Sequence, residues 1–313
     1  MGRVGVSRPG QCVGPQGPGT RIHMNRKLFA VGVALLALSL GAGSATAATS
    51  LSTAPPKWFT PKFKKQVNRA GTKGKRMPLA GPGALDVCPG IDPNSPTPAT
   101  SVVSAGTCEV YPAGCTANFI YSNGSQYYIG TAGHCVDKVG ESVYMQVNTP
   151  GVGASIANIG TVSKFVDGGV GNDYSVIAIA SGFAVDPKLP QGGPQGIYTG
   201  CGPAVVSHYG HGYGVAVSQG KLEGGVATNW YDDGYGWTGV GAPGDSGSAV
   251  LANGTLAAGD FTHLIVDVGA YPGSDLAGTR ITKILAGTGL SLVNADGSTT
   301  PTASTSCGAQ PKS

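Results

Sequence analysis

The chain has 313 residues, with 20 Lys and Arg against 16 Asp and Glu and a formal net charge of +4. Residues 1–76 hold 13 of the basic residues and no acid, which leaves 7 bases against 16 acids, a net charge of 7 − 16 = −9, in the remainder. An acidic body argues against a function in binding nucleic acid, which clustered positive charge would favour.

The basic N-terminal region is predicted to contain a secretory signal. Residues 1–23 are interpreted as an extension upstream of the true start site, and an unusually long n-region of the signal is the alternative. Residues 24–47 then show the three parts of a signal peptide: a basic start, the apolar run Leu28 to Leu40, and the small residues Ala45 to Ala47 before the cleavage point. The apolar run has 13 residues, too few to span a bilayer. We therefore expect a secreted, extracellular protein with no membrane association after signal removal.

Residues 48–83 are predicted to be a basic propeptide or linker. Ala48 to Met77 carry eight bases and no acid. A solvated linker is one interpretation; the other is a propeptide that its positive charge holds against the acidic body. Cleavage after Lys75-Arg76 would then give a mature N-terminus between Met77 and Cys88.

The cysteine count predicts disulfides. Of seven cysteines, Cys12 precedes the signal, and the six that remain indicate three bridges in an oxidising compartment. Cys115 and Cys135 bracket two apolar runs joined by a turn, a hairpin whose ends meet, so a bridge there would be worth about 3 kcal/mol. The other four allow three pairings that the sequence leaves open: Cys88, Cys108, Cys201 and Cys307. Without a Cys-x-x-Cys pair we expect no metal, and nothing indicates a cofactor.

The region from residue 84 to 287 has an all-β pattern. Short runs rich in Val, Ile, Tyr and Thr alternate with Gly, Pro, Asn and Asp turns. Only Arg280 to Ala286 suggests a helix. Roughly 200 residues of this kind suffice for a sandwich or a pair of barrels.

His134 is the candidate general base. It lies in Thr131–Cys135 (Thr-Ala-Gly-His-Cys), after a β-like run. A serine hydroxyl is a poor nucleophile until such an imidazole takes its proton. We expect His208 and His211 to pack in a loop or at a core edge, whereas His263 lies near the expected substrate cleft.

Asp173 and Ser246 complete a candidate triad. Asp173 starts an apolar strand, where its carboxylate can hold the imidazole Nδ1–H, although a turn aspartate is the plainer reading of that residue alone. Ser246 lies in Gly-Asp-Ser-Gly, whose glycines let the amides of Gly244 and Ser246 point at one spot as an oxyanion hole. The order His134, Asp173, Ser246, with gaps of 39 and 73 residues, favours the catalytic roles.

These segments resemble the chymotrypsin/trypsin-like serine protease family, and in particular its short secreted bacterial branch. The resemblance implies an all-β fold of two perpendicular six-stranded antiparallel β-barrels, at residues 84–190 and 191–290, with the active site in the cleft between them. His134 and Asp173 would come from the first barrel and Ser246 from the second. Residues 291–313 would be a C-terminal tail tied back through Cys307. The resemblance also implies that Cys115 pairs with Cys135.

The chain departs from the family at its activation machinery. No Ile-Val-Gly-Gly-like N-terminus precedes the first barrel, so insertion of a freed amine beside Asp245 is not supported. In the bacterial branch an internal cation can serve this aspartate. Three residues are candidates for that cation: Lys164, Lys221 and Arg280.

The resemblance also indicates substrate-pocket residues, which are Val240, Thr262, His263, Leu264 and Gly278. Val240 stands six residues before Ser246, where the family places its selectivity residue. Without a carboxylate there, selection of Arg or Lys is disfavoured, so we expect cleavage after apolar or small residues. Recognition of an acidic side chain by His263 is a weaker alternative, and Leu264 could narrow the pocket.

The sequence therefore predicts a monomeric secreted serine endopeptidase that cleaves protein or peptide substrates through an acyl-enzyme intermediate. The alternative is a catalytically inactive protease fold that acts as a binding or recognition protein.

Overall fold

The computed structural model of the protein describes residues 88, 91, 97, 100–212, 221–264 and 271–310. The predicted start-site extension, signal peptide and propeptide or linker lie outside the described residues. Within those ranges no helix has the length and apolar character needed to cross a membrane.

Strands dominate the described residues, and they form two sheets. The strands of the first sheet are β1 (Val102–Ser104), β2 (Cys108–Tyr111), β3 (Cys115–Thr116), β4 (Ile120–Ser122), β5 (Tyr127–Thr131), β6 (Ser142–Thr149), β7 (Gly153–Asp167), β8 (Asp173–Ile179), β9 (Ala184–Asp186), β17 (Ser291–Val293) and β18 (Thr299–Thr300). Those of the second are β10 (Ala204–Gly210), β11 (Lys221–Trp230), β12 (Gly234–Thr238), β13 (Ala249–Ala252), β14 (Leu256–Asp260), β15 (His263–Leu264) and β16 (Leu276–Thr279). A 3-10 turn spans Gly133–Cys135, and the helix α1 spans Ile281–Thr288.

The first sheet carries the larger apolar core. Its main path runs β18-β17-β4-β5-β8-β7-β6-β1-β9, and β2 joins β3 to β6. Buried and less buried positions alternate along β6, as expected for a strand with one face on the core. The turn between β4 and β5 is closed by Asn123, whose Oδ1 accepts the amides of Ser125 (3.1 Å) and Gln126 (2.9 Å).

The second sheet is antiparallel throughout, in the order β14-β13-β10-β11-β12-β16-β15. Its core is aromatic. The ring of Tyr235 stacks between those of Trp230 and Trp237, at centroid distances of 5.0 and 5.4 Å, and Phe261 meets Trp237 edge-on at 5.2 Å. Because β15 pairs only with β16, it forms one edge of the sheet in the described residues.

The all-β architecture with two β-sheet bodies is confirmed, but the strand counts are eleven and seven rather than six each. The extra strands of the first sheet are short, and two come from the C-terminal segment predicted to be a tail. β17 pairs with β4 because Leu292 and Val293 bury their side chains in the first core. The helix begins one residue later than predicted and ends at Thr288, and Gly289 caps it with a φ of 71°, a left-handed conformation that favours glycine.

The structure contains three disulfides in the described residues. Cys115 is bonded to Cys135, Cys88 to Cys108, and Cys201 to Cys307. The bridges Cys88–Cys108 and Cys201–Cys307 are one of the three pairings that the sequence left open for these four cysteines. Cys201–Cys307 ties the C-terminal segment to the start of the second sheet.

Candidate active site

The 3-10 turn after β5 positions His134. Gly133 leaves room for this turn, since a Cβ there would lie 1.9 Å from the backbone oxygen of Val166. The Cys115–Cys135 bridge attaches the other end of the turn to β3. The imidazole is therefore held from both sides in a buried position.

Asp173, His134 and Ser246 form one hydrogen-bonded chain. Asp173 Oδ1 accepts the backbone amide of His134 at 2.9 Å, and its Oδ2 lies 2.7 Å from His134 Nδ1. His134 Nε2 lies 2.9 Å from Ser246 Oγ. Because a carboxylate can only accept, Nδ1 carries the hydrogen and Nε2 is left to accept the serine proton.

The charges of the pair favour each other. Burial lowers the pKa of His134, but the charge of Asp173 and its hydrogen bond outweigh this, so the pKa lies above its ordinary value. Burial raises the pKa of Asp173, yet the charge and hydrogen bond of His134 and the charge of His263 bring it below its ordinary value. At neutral pH Asp173 is thus a buried carboxylate that stabilises an imidazolium.

Thr279 of the second sheet fixes the backbone of Asp173. Its Oγ1 accepts the amide of Asp173 at 3.0 Å and donates to the carbonyl of the same residue at 3.1 Å. One hydroxyl thereby satisfies both backbone groups at the start of β8. Asp173 is consequently anchored to the sheet that carries Ser246.

The loop at Ser246 is held by Thr116 of β3. Thr116 donates its amide to Ser246 O and its Oγ1 hydrogen to Gly244 O, both at 2.8 Å. Gly247 has a φ of 87°, and a Cβ there would lie 2.3 Å from both Thr116 O and Thr131 Oγ1, so only glycine fits this contact. The amides of Gly244 and Ser246 donate to no residue that the structure describes.

Two of the three cations suggested for Asp245, Lys164 and Arg280, bind backbone carbonyls of other segments. Lys164 donates to the carbonyl of Gly287. Arg280 donates to the carbonyls of Tyr231 (3.2 Å), Tyr198 (3.2 Å) and Gly200 (3.1 Å), beside the Cys201–Cys307 bridge. The side chain of Lys221 lies outside the described residues.

Two backbone amides of the described residues donate to Asp245. Its Oδ1 accepts the amide of Gly212 at 2.6 Å and its Oδ2 that of Ala242 at 2.7 Å. The charge of Asp245 also acts on His208, although burial is the larger influence and lowers the pKa of that imidazole. His208 packs against Phe261 and Trp237, in line with the packing role predicted for it.

The five pocket candidates differ in burial and in their contacts. Val240 is half exposed, and its carbonyl lies 3.1 Å from His208 Nε2. Gly278 is buried with no space on its Cβ side, because a Cβ there would lie 1.8 Å from Asp260 O. Leu264 is partly exposed on the edge strand β15. Thr262 is fully buried and lies 3.3 Å from the carbonyl of Ala277.

His263 lies beside the triad. Its Nδ1 is 3.7 Å from Asp173 Oδ2 and 2.8 Å from Thr262 Oγ1, and its ring meets that of His134 edge-on at 5.9 Å. The sequence indicated a residue of the substrate cleft but contained no signal for its proximity to Asp173.

Sequence reasoning missed two fully buried acids, Asp260 and Glu109. Asp260 ends β14, and its Oδ1 accepts the amide of Thr279 at 3.0 Å, whereas its Oδ2 has no hydrogen-bond partner in the described residues. Burial first, and the charge of Asp173 second, raise the pKa of Asp260 well above its ordinary value. Glu109 on β2 is equally buried, and burial likewise raises its pKa. The residues that flank Glu109 and Asp260 in the sequence contain no signal that these carboxyl groups are buried.

The site is not arranged to hold a metal ion. Ligand atoms of Cys115, His134 and Cys135 lie within 4.8 Å of one another. The two sulfurs are bonded to each other, however, and both imidazole nitrogens already face Asp173 and Ser246. The arrangement fits proton transfer between a hydroxyl and an imidazole.

The comparisons with known proteins give structural likenesses only. No family model and no curated protein matches the chain. Among solved structures, it is similar to Thermobifida fusca protease A (20% identity, 61% of this chain and 98% of that chain, TM-score 0.44) and to Cellulomonas bogoriensis chymotrypsin (20%, 60% and 97%, TM-score 0.41). A glutamic-acid-specific serine protease that uses a histidine triad in substrate binding is similar at 19% identity over 60% and 98% of the two chains, with a TM-score of 0.40. The likeness is to bacterial chymotrypsin-like serine proteases, and the chemistry rests on the geometry of the site itself.

Proposed function

We propose that the protein is a secreted serine endopeptidase in which Ser246 is the nucleophile, His134 the general acid and base, and Asp173 the group that orients His134. The observation that carries the proposal is the continuous hydrogen-bond chain from Asp173 through His134 to Ser246, with distances of 2.7 and 2.9 Å. A structural hydrogen-bond cluster would not need all three side chains in this order.

The reaction follows from these contacts. Ser246 Oγ attacks the carbonyl carbon of the scissile peptide bond while its proton passes to His134 Nε2, and Asp173 stabilises the imidazolium. The amides of Gly244 and Ser246 donate to the oxyanion of the tetrahedral intermediate. His134 then protonates the leaving amine, and the acyl group remains on Ser246. Water, activated by the same imidazole, hydrolyses this ester and restores the hydroxyl.

The surroundings of β15 support an extended peptide as substrate. The strand is a sheet edge in the described residues and begins at His263, next to the triad. A peptide can add to such an edge through its backbone. None of the pocket candidates Val240, Thr262, Leu264 and Gly278 has an acidic side chain that would bind Arg or Lys of a substrate. We therefore propose cleavage after apolar or small residues.

The disulfides support an extracellular protein, since such bonds persist in oxidising compartments. We propose that residues 24–47 direct export, that a propeptide within residues 48–83 is then removed, and that the product is a monomer. Mass spectrometry of the secreted protein should find its N-terminus between Met77 and Cys88. An intact Ala48 at the N-terminus would contradict removal of a propeptide.

A fluorophosphonate probe tests the catalytic proposal. We expect one probe per molecule, attached to Ser246 by peptide mapping, and no labelling of Ser246→Ala. Folded secreted protein that stays unlabelled would contradict the proposal and favour an inactive fold that binds other molecules.

A peptide library tests the specificity separately. Cleavage mainly after Ala, Val, Leu or Phe is expected. A dominant preference for Arg, Lys, Glu or Asp would refute the proposed pocket chemistry without affecting the triad.

A further inference from the structure

His263 brings a second imidazole to the carboxylate that orients His134. Asp173 Oδ2 lies 2.7 Å from His134 Nδ1 and 3.7 Å from His263 Nδ1. Both rings are buried, and their centroids are 5.9 Å apart. The distance from His263 to Asp173 is too long for a hydrogen bond but within the range of an ion pair.

The hydrogen bonds around Thr262 indicate which nitrogen of His263 carries a proton. Thr262 Oγ1 lies 3.3 Å from the carbonyl of Ala277, which can only accept, so its hydrogen is used there. The same oxygen, 2.8 Å from His263 Nδ1, then accepts from that nitrogen. The Nδ1–H of His263 is therefore on the side of its ring that approaches Asp173.

We propose that His263 is a positioning residue of the triad, which shares Asp173 with His134 and makes proton uptake by His134 depend on the charge of His263. This inference rests on the proposed function but concerns a residue that the proposed mechanism does not use. The protonated forms of the two rings compete for one buried carboxylate and repel each other.

The other charged groups nearby do not replace Asp173 in this role. Asp260 on β14 is buried, and burial together with the charge of Asp173 favours its neutral form. Asp167 on β7 adds a smaller attraction for a proton on His134. Asp173 on β8 is thus the carboxylate for which both imidazoles compete.

The direction of the effect is fixed by the sign of the charges. A proton on His263 makes a proton on His134 less favourable, and the charge of protonated His263 also stabilises the Asp173 carboxylate. Removing the imidazole should therefore move the titration of His134 to higher pH. The charges of protonated His134 and His263 would lie about 6 Å apart, with water screening only part of their repulsion. This repulsion is strong enough to shift the titration of His134 by about one pH unit.

The test is an NMR titration of the His134 ring in the Ser246→Ala protein, with and without His263→Gln. Gln keeps a polar side chain of similar reach but cannot be protonated. We expect His134 to titrate about one pH unit higher in the His263→Gln variant. His211→Gln is the matched control, because Nε2 of His211 lies 3.0 Å from the carbonyl of Gly106, whereas the imidazoles that act on Asp173 are those of His134 and His263. It should leave the titration unchanged.

A second measurement needs no change at residue 263. In the Ser246→Ala protein, the signals of His134 and His263 should each show two inflections with pH, as coupled groups do. Independent single inflections, or a His134 titration that His263→Gln leaves in place, would overturn the inference. Both readouts work without turnover, so an inactive protein would refute the proposed function while leaving this test intact. In the active protein, His263→Gln should raise the acidic midpoint of kcat/KM by the same amount.

Discussion

Thr116 links the two sheets beneath the proposed oxyanion hole, and Thr116→Val should weaken both stability and catalysis. Its Oγ1 donates to Gly244 O (2.8 Å) and accepts the amide of His211 (3.0 Å). Valine preserves the shape but leaves that carbonyl and that amide without their partner, at a cost of about 1 to 3 kcal/mol for each buried group. We expect the free energy of unfolding to fall by about 3 kcal/mol and the Tm by about 6 to 12 °C.

The same change should lower kcat/KM by about 10- to 100-fold, less than the 100- to 1000-fold effect of deleting an oxyanion donor, because the Gly244 amide is loosened rather than removed. Thermal unfolding and steady-state cleavage of a peptide substrate measure the two effects. Thr116→Ser is the control: it keeps the hydroxyl, loses only a methyl group, and should stay near the starting values. Equal stability and activity of the Val and Ser variants would refute the reasoning.

Three further changes test other parts of the site. Asp173→Asn should lower kcat by about 10⁴-fold at pH 7, because an amide does not hold the Nδ1–H tautomer of His134; a loss below tenfold in correctly folded protein would contradict this role. Glu109→Gln should stabilise the protein more at pH 7 than at pH 4. The pKa of Glu109 is raised in the folded state, so its carboxyl group destabilises the fold increasingly as the pH rises above the pKa of the unfolded chain. Equal gains in the free energy of unfolding by urea at both pH values would contradict this. Arg280→Met should lower the Tm without changing kcat/KM of the folded protein, since Arg280 binds backbone carbonyls near Cys307 rather than Asp245. A loss of kcat/KM at unchanged Tm would contradict this and indicate that Arg280 acts on the active site.

Local patterns in the sequence were enough for much of the fold. The alternation along β6 and the Asn-Gly turn after β4 are short-range signals, and the structure follows them. The segments at His134, Asp173 and Ser246 were visible for the same reason: each has a characteristic neighbourhood within a few residues of the chain.

Contacts between distant parts of the chain were not predictable in this way. β17 adds to β4 from about 170 residues away, and two pairs of cysteines were left open because nothing local distinguishes their partners. The position of Arg280 depends on the carbonyls that the loop before β10 turns toward it. A cation cannot be assigned to Asp245 from sequence order alone.

The histidine beside the triad shows the same limit within the site. His263 and Asp173 are 90 residues apart and belong to different sheets. Only the approach of β15 to β8 brings their side chains together. Asp260 was missed because a single acid at the end of an apolar strand looks like a turn residue.

The central claim is that Ser246 forms a covalent acyl intermediate with the help of His134 and Asp173. The most direct measurement is the intact mass of the protein quenched in acid during turnover of an activated peptide ester, followed by mapping of the adduct. The account predicts one acyl group on Ser246, present in the unsubstituted protein and absent from Ser246→Ala. Ester hydrolysis that continues in Ser246→Ala, or an acyl group on any other residue, would contradict it.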